Sequence, residues 1–298
     1  MEIQWSLVLF TVISGVGAWL FAASMIQALA KRGALPGKLE TIVSFVVVAV
    51  GGCMSVTHLK HVDRIFEALN HPTSGIFVEA AMVGVLCVLL AVYLVCLLRG
   101  TKEGALKVVG AFTLVIGVVY TFACGYSYMM EARQAWMTYA LPLAYCLTCA
   151  AGGAAANQLL KALGRDGLAT EGAAGSTDAG AGAAGAKPQV GGAVVSFAGL
   201  IVLVAAVLAL VCSAAFFVHA SGWLDDARGG AVAWLAVTLV SAVVAGVCGA
   251  AAWKQPAKGA VAVAVVALVA GVLCAVALRV AMWLVGVPVM DLFLMPLD

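Results

Sequence analysis

The chain has 298 residues, 64% of them hydrophobic and only 10% charged, with a mean hydropathy of +1.12. A soluble globular domain carries about 25% charged residues, so this composition excludes one and requires an integral membrane protein. The net charge of +2, with no basic patch interleaved with aromatics, excludes a nucleic-acid binder.

A helix that crosses the membrane needs about 20 largely apolar residues. Eight runs fit that length: Ile3–Ala30, Thr41–Thr57, Gly75–Leu98, Ala105–Met129, Ala135–Leu160, Val190–Val218, Gly230–Trp253 and Gly259–Val285. The first follows MEIQWSLVLF, which has no basic leader, and it is far longer than a signal-peptide core. It is therefore expected to stay in the membrane as a span. Short connections make sequential helices antiparallel neighbours. The glycines Gly51-Gly52, Gly152-Gly153 and Gly246/Gly249 are expected to let helix backbones approach closely in lipid.

The connections alternate in charge. One set holds Lys31, Arg32, Lys38, Arg99, Lys102, Lys107, Lys161, Arg165, Lys187, Lys254 and Lys258, eleven in all; the other holds five, Lys60, Arg64, Arg133, Arg228 and Arg279. Positive charge stays in the cytoplasm. The expected architecture is thus an all-α, eight-transmembrane-helix bundle, N-out and C-out, built as two four-helix halves. Residues 1–163 hold spans one to five and an outer-face amphipathic loop, 59–74. Residues 164–192, GRDGLATEGAAGSTDAGAGAAGAKPQVGG, are too poor in large apolar side chains to fold and read as a flexible cytoplasmic linker, which is also a candidate join between the halves. Residues 193–298 hold spans six to eight and an outer-face tail.

The outer face carries the chemistry. Three of the four histidines, His58, His61 and His71, fall between spans two and three. Leu59, Val62, Ile65, Phe66 and Leu69 recur at helical spacing against Lys60, His61, Asp63, Arg64 and Glu67, which predicts a short helix lying at the membrane surface. His58 closes span two, either as a snorkelling or capping histidine or as a proton acceptor tuned near neutral pH. Glu79 opens span three at a similar depth, and an acid within a span marks a pathway or site by default. Arg279, in span eight, reads as a partner for Glu79 or Glu131, or as an interface anchor, ahead of a catalytic role. The connection from Tyr126 to Tyr139 carries Tyr126, Tyr128, Glu131, Arg133, Trp136 and Tyr139, in part an interfacial aromatic belt.

Other chemistries find little support. The nine cysteines all lie in apolar runs, a poor disulfide framework. Cys146 and Cys149 share a helix face, but a structural metal site needs two further ligands. All four histidines stand at or beyond the outer edge, where none serves a haem near the inner face. No metal or haem is expected in the chain. Two readings remain: a protein that takes protons from an amphipathic ligand at its outer edge, and a multi-span transporter. Transporters bind near the midplane between broken, polar-lined helices, and the span middles here are nearly bare of ionisable groups, which favours the first.

The pattern His58, Leu59, Arg64, Phe66, Leu69 and Asn70, followed by the acid opening span three, resembles the membrane-anchor subunits of dimethyl sulfoxide reductase. The opening LVLFTVISGVGAW, the eight-span layout and the stretch from Trp136 to Pro142 are similar too. The resemblance covers most of the chain apart from the Gly/Ala linker. It departs at Lys60, where the family usually has glycine, and at Val62, where proline is common. The resemblance implies a non-catalytic anchor, in the bacterial inner membrane, for a molybdopterin catalytic subunit and an iron–sulfur subunit. It implies menaquinol as the substrate oxidised there in anaerobic respiration, with His58 and Glu79 at the quinol site and no haem in the chain. Arg64 and Arg279 are then candidates to stabilise the quinolate. Anchors of polysulfide- or nitrite-type enzymes are the nearest alternative within this class.

Overall fold

A computed structural model describes residues 3–56, 75–164, 190–224, 229–255 and 260–286. Among them the chain is all helix, without a strand: α1 (Trp5–Leu29), α2 (Lys38–Val56), α3 (Gly75–Leu98), α4 (Glu103–Tyr126), α5 (Ala140–Ala162), α6 (Val190–Ala220), α7 (Ala231–Lys254) and α8 (Ala260–Val285). Seven of these, all but α5, are long and apolar enough to cross a membrane. The α5 helix is long enough, with 23 residues, but its last turns carry Asn157, Gln158 and Lys161. It can hold them because it is walled by α1, α4, α6 and α8, where polar side chains meet protein rather than lipid.

The contacts close into two rings. The first runs α1–α2–α3–α4 and back to α1; the second runs α5–α6–α7–α8 and back to α5. The rings meet through α1 and α5, with α4 and α8 alongside. The change of ring therefore falls in the 127–139 connection, whereas the Gly/Ala-rich stretch after Gly164 joins α5 to α6 inside the second ring. Residues 165–189 themselves lie outside the described residues, as do 57–74 and 287–298.

Backbones meet where side chains are smallest. A Cβ on Gly153 would stand 2.4 Å from the Cβ of Trp19, and one on Gly271 would stand 2.7 Å from the Cα of Gly152. These two contacts set the α1–α5 and α5–α8 spacing, as small residues do between helices in lipid. At Gly246 the nearest atom would be 3.6 Å away, ordinary packing that does not require glycine.

Helix ends differ from the apolar runs where polar residues find protein partners. The α2 helix starts at Lys38, three residues before the run, and α5 continues through Lys161 to Ala162. At its other end α5 starts five residues later than Ala135. There Gln134–Trp136 form a 3-10 turn, pinned by Trp136 Nε1 donating to Met282 O at 2.8 Å and Arg133 Nη1 donating to Gly286 O. Pro142 then sits in the first turn of α5, where its missing N–H costs nothing.

Candidate functional site

Antiparallel succession puts the start of α3, the 127–139 connection and the ends of α6 and α8 at one end of the bundle. Contacts there bear this out: Glu79 meets Ser127, Arg133 meets Gly286, and His219 Nε2 lies 3.1 Å from Gln134 O. The predicted surface helix and His58, His61, His71 and Arg64 lie outside the described residues.

Glu79 is 6% exposed, one turn inside α3. Ser127, the residue that caps α4, donates its hydroxyl to Glu79 Oε1 and also reaches Cys124 O at 3.1 Å. Gly75 makes room for this pairing, since a Cβ there would stand 2.9 Å from the Ser127 Cβ. Among the described residues no cation faces Glu79, and the expected ion pair with Arg279 does not form.

Behind Ser127 lies a compact aromatic cluster. The Tyr128 ring meets Trp136, Tyr145 and Trp283 at centroid distances of 5.8, 5.7 and 6.0 Å. Trp136 and Trp283 cross edge to face at 5.5 Å, and Arg133 stacks over Trp136 at 4.4 Å. The 126–139 aromatics thus divide by role. Tyr126 and Tyr139 are exposed, as interfacial residues are; Tyr128 and Trp136 are buried and dock the connection onto α5 and α8. Burial holds the Tyr128 phenol well above its ordinary value, so it remains a neutral hydroxyl.

Arg279 is 1% exposed and spends all five guanidinium N–H groups inside the bundle. Nε donates to Thr11 Oγ1 at 2.7 Å. Nη1 donates to Ala275 O at 2.9 Å and Thr148 Oγ1 at 3.4 Å. Nη2 donates to Cys149 Sγ at 3.2 Å and Tyr145 O at 3.5 Å. Its plane lies 4.0 Å from the Tyr145 ring centre. The expected partnership with Glu79 or Glu131 is therefore replaced: the cation bolts α8 to α1 and α5, does not snorkel, and meets no acid among the described residues. The two neighbouring cysteines diverge as well. Cys149 accepts from Arg279, while Cys146 accepts from Thr121 on α4 at 3.3 Å.

Sequence reasoning missed the densest polar cluster, at the opposite end of the bundle. Glu40 Oε1 accepts from Lys161 Nζ at 2.8 Å, Ser24 Oγ at 2.7 Å and Asn157 Nδ2 at 3.1 Å, and Oε2 accepts from Gly37 N at 2.8 Å. Asn157 Oδ1 in turn takes a bond from Gln27 Nε2 at 2.6 Å. Glu40 and Lys161 each stand one residue outside the apolar runs that framed spans two and five. The i, i+4 spacing of Asn157 and Lys161 was the available sign that one helix face is polar.

Against this geometry, a family model described as DMSO reductase anchor subunit (DmsC) matches residues 1–171. That covers α1 to α5, including Glu79, Ser127, the Glu40–Lys161 network and three rings of the aromatic cluster, Tyr128, Trp136 and Tyr145; Trp283 and Arg279 lie beyond it. No curated protein matched the chain.

Proposed function

From the premise that the chain belongs to the DMSO reductase anchor-subunit family, and is a multi-pass membrane anchor for a catalytic subunit, we propose that it oxidises menaquinol at its Glu79 end. In this reading all eight helices span the inner membrane of a bacterium, with both termini and the Glu79 end facing outward. Electrons pass to an iron–sulfur subunit and then to a molybdopterin subunit that reduces dimethyl sulfoxide or a related acceptor. The observation that carries the reading is a buried carboxyl, Glu79, held by one neutral donor beside an aromatic cluster, at the end of the bundle to which His58 is connected.

The mechanism balances simply. Menaquinol loses two protons and two electrons and leaves as menaquinone. His58 accepts one hydroxyl proton and Glu79 accepts or relays the other toward the outer side. Arg64 stabilises the developing quinolate by its charge. Arg279, its donors already spent, acts only as a fixed positive charge behind the Tyr145–Tyr128 pair. The two electrons leave singly to the nearest cluster of the partner, so this chain needs no redox centre of its own.

A transporter is the reading outside this class. The helices run unbroken among the described residues, which supports the anchor over the broken-helix design of transporters. The test is to extract the tagged chain gently and analyse what accompanies it. Iron and molybdenum with two partner chains, and loss of quinol-dependent reduction in His58→Ala, are expected. A metal-free chain that drives substrate flux in vesicles by itself would overturn the proposal.

A further inference from the structure

At the Glu40 end a cleft of about 790 Å³ opens between the end of α1 and the facing ends of α6 and α7. Lys31 and Arg32 stand on one wall; Val194, Phe197, Leu200 and Trp253 form the apolar remainder. Both cations are exposed, and among the described residues neither has an acidic partner. The buried acid at this end, Glu40, is already committed to Lys161.

Two further observations set the cleft apart from an ordinary basic loop. Lys31 has φ +56°, the sole non-glycine residue with positive φ among those described. It occupies the turn that closes α1, where Lys31 N bonds to Ala28 O and Arg32 N to Gln27 O. That position favours glycine, as the chain uses at Gly100 and Gly164. A lysine there carries a conformational cost that glycine would not, and it stands at the lining of the cleft. Second, Gln27 is 1% exposed, and among the described residues its Oε1 has no hydrogen-bond partner. That oxygen lies 3.3 Å from where a Cβ on Gly33, a cleft residue, would stand. The cleft thus offers two cations at its mouth and an apolar side formed by Val194, Phe197, Leu200 and Trp253, with the Gln27 oxygen buried behind Gly33.

We propose that this cleft binds an anionic phospholipid, with its phosphate between Lys31 and Arg32 and its acyl chains along Phe197, Leu200 and Trp253. Basic pockets between membrane helices recognise such headgroups. Trp253, 44% exposed, stands in the last turn of α7, the position along a membrane helix at which interfacial tryptophans are enriched. The lipid would bridge the two rings of helices, since α1 belongs to one and α6 and α7 to the other.

The test is native mass spectrometry of the full chain, with whatever partners accompany it, equilibrated in detergent with equal amounts of dioleoyl phosphatidylglycerol and dioleoyl phosphatidylcholine. Preferential retention of phosphatidylglycerol is expected. Lys31→Gln and Arg32→Gln should each lower it about fivefold, since each cation near anionic lipid contributes about that factor. Arg99→Gln, in another connection at the same end, should leave retention unchanged. Lys31→Gly separates function from folding: it should raise the melting temperature in lipid-free detergent and still lose phosphatidylglycerol. Val194→Trp, which fills the cleft and keeps both cations, should abolish retention. Equal retention of the two lipids by the native chain, or native-level phosphatidylglycerol binding by Lys31→Gln/Arg32→Gln, would overturn the proposal.

Discussion

The first ring of helices buries two glutamates, one toward each end, and holds them in opposite ways. Glu40 accepts four hydrogen bonds, one of them from the ammonium of Lys161. That equals in number the roughly four acceptor positions of a carboxylate, with three of the bonds on Oε1 and one on Oε2. Among the described residues Glu79 accepts one, from a neutral hydroxyl. Both are nearly excluded from solvent, at 4% and 6% exposure, so burial alone does not distinguish them. The difference lies in what remains free. A carboxyl that already accepts four bonds from within the bundle is a structural clamp. A carboxyl with positions unspent, beside a connection that leads out of the bundle, can exchange a proton with a ligand.

The sharpest way to test that contrast is to break the clamp. Lys161→Ala strands the Glu40 carboxylate, and removing one member of a buried pair costs about 3–5 kcal/mol. Unfolding in mixed micelles should show that loss, while Glu40→Gln/Lys161→Met should recover most of it. Quinol oxidation per assembled complex should not change in either variant that folds; a selective loss of turnover would give the Glu40 end a role in the chemistry. Asn157→Ala removes a bridge between Gln27, Ser24 and Glu40. It should cost about 1–3 kcal/mol, the penalty of unsatisfied buried groups. At the other end the same kind of change should matter less for folding. Ser127→Ala deletes one interhelical hydrogen bond, worth about 0.6 kcal/mol in membrane proteins, and should leave assembly intact with a measurable change in quinol turnover.

Much of the fold was legible because a bilayer leaves few choices. Apolar runs of sufficient length must be helices, and the observed elements fall within five residues of the predicted runs. The errors sit where an apolar window stops at the first charged residue. Glu40 and Lys161 were cut away for that reason, although each is a helical residue neutralised by a partner from a helix distant in sequence. No local pattern in either run names the other. The start of α5 was misjudged for a related reason: Ala135 and Trp136 look like span residues, but their bonds go sideways to α8. Of the candidate site, Glu79 was legible as an acid in an apolar run. Ser127 was not, because its role depends on α3 and α4 meeting side by side. Arg279 was legible as a charge within a span, but it was expected to meet an acid or snorkel to the interface; it is buried instead, and hydroxyl, carbonyl and sulfur acceptors on three helices satisfy it. The ring boundary at 127–139 was equally hidden, because the low-complexity stretch is the more conspicuous break in composition.

The most direct test of the account is the rate of quinol oxidation by the assembled complex carrying Glu79→Gln. The substitution keeps size and the bond from Ser127 and removes only the capacity to take up a proton. A positioned general base contributes about 10²–10⁴ in rate. The account predicts a fall of at least about a hundredfold, with assembly and unfolding stability at native levels. A turnover within about twofold of the native complex, in a variant that assembles normally, would mean that Glu79 is another structural carboxyl and that the distinction between the two ends is wrong.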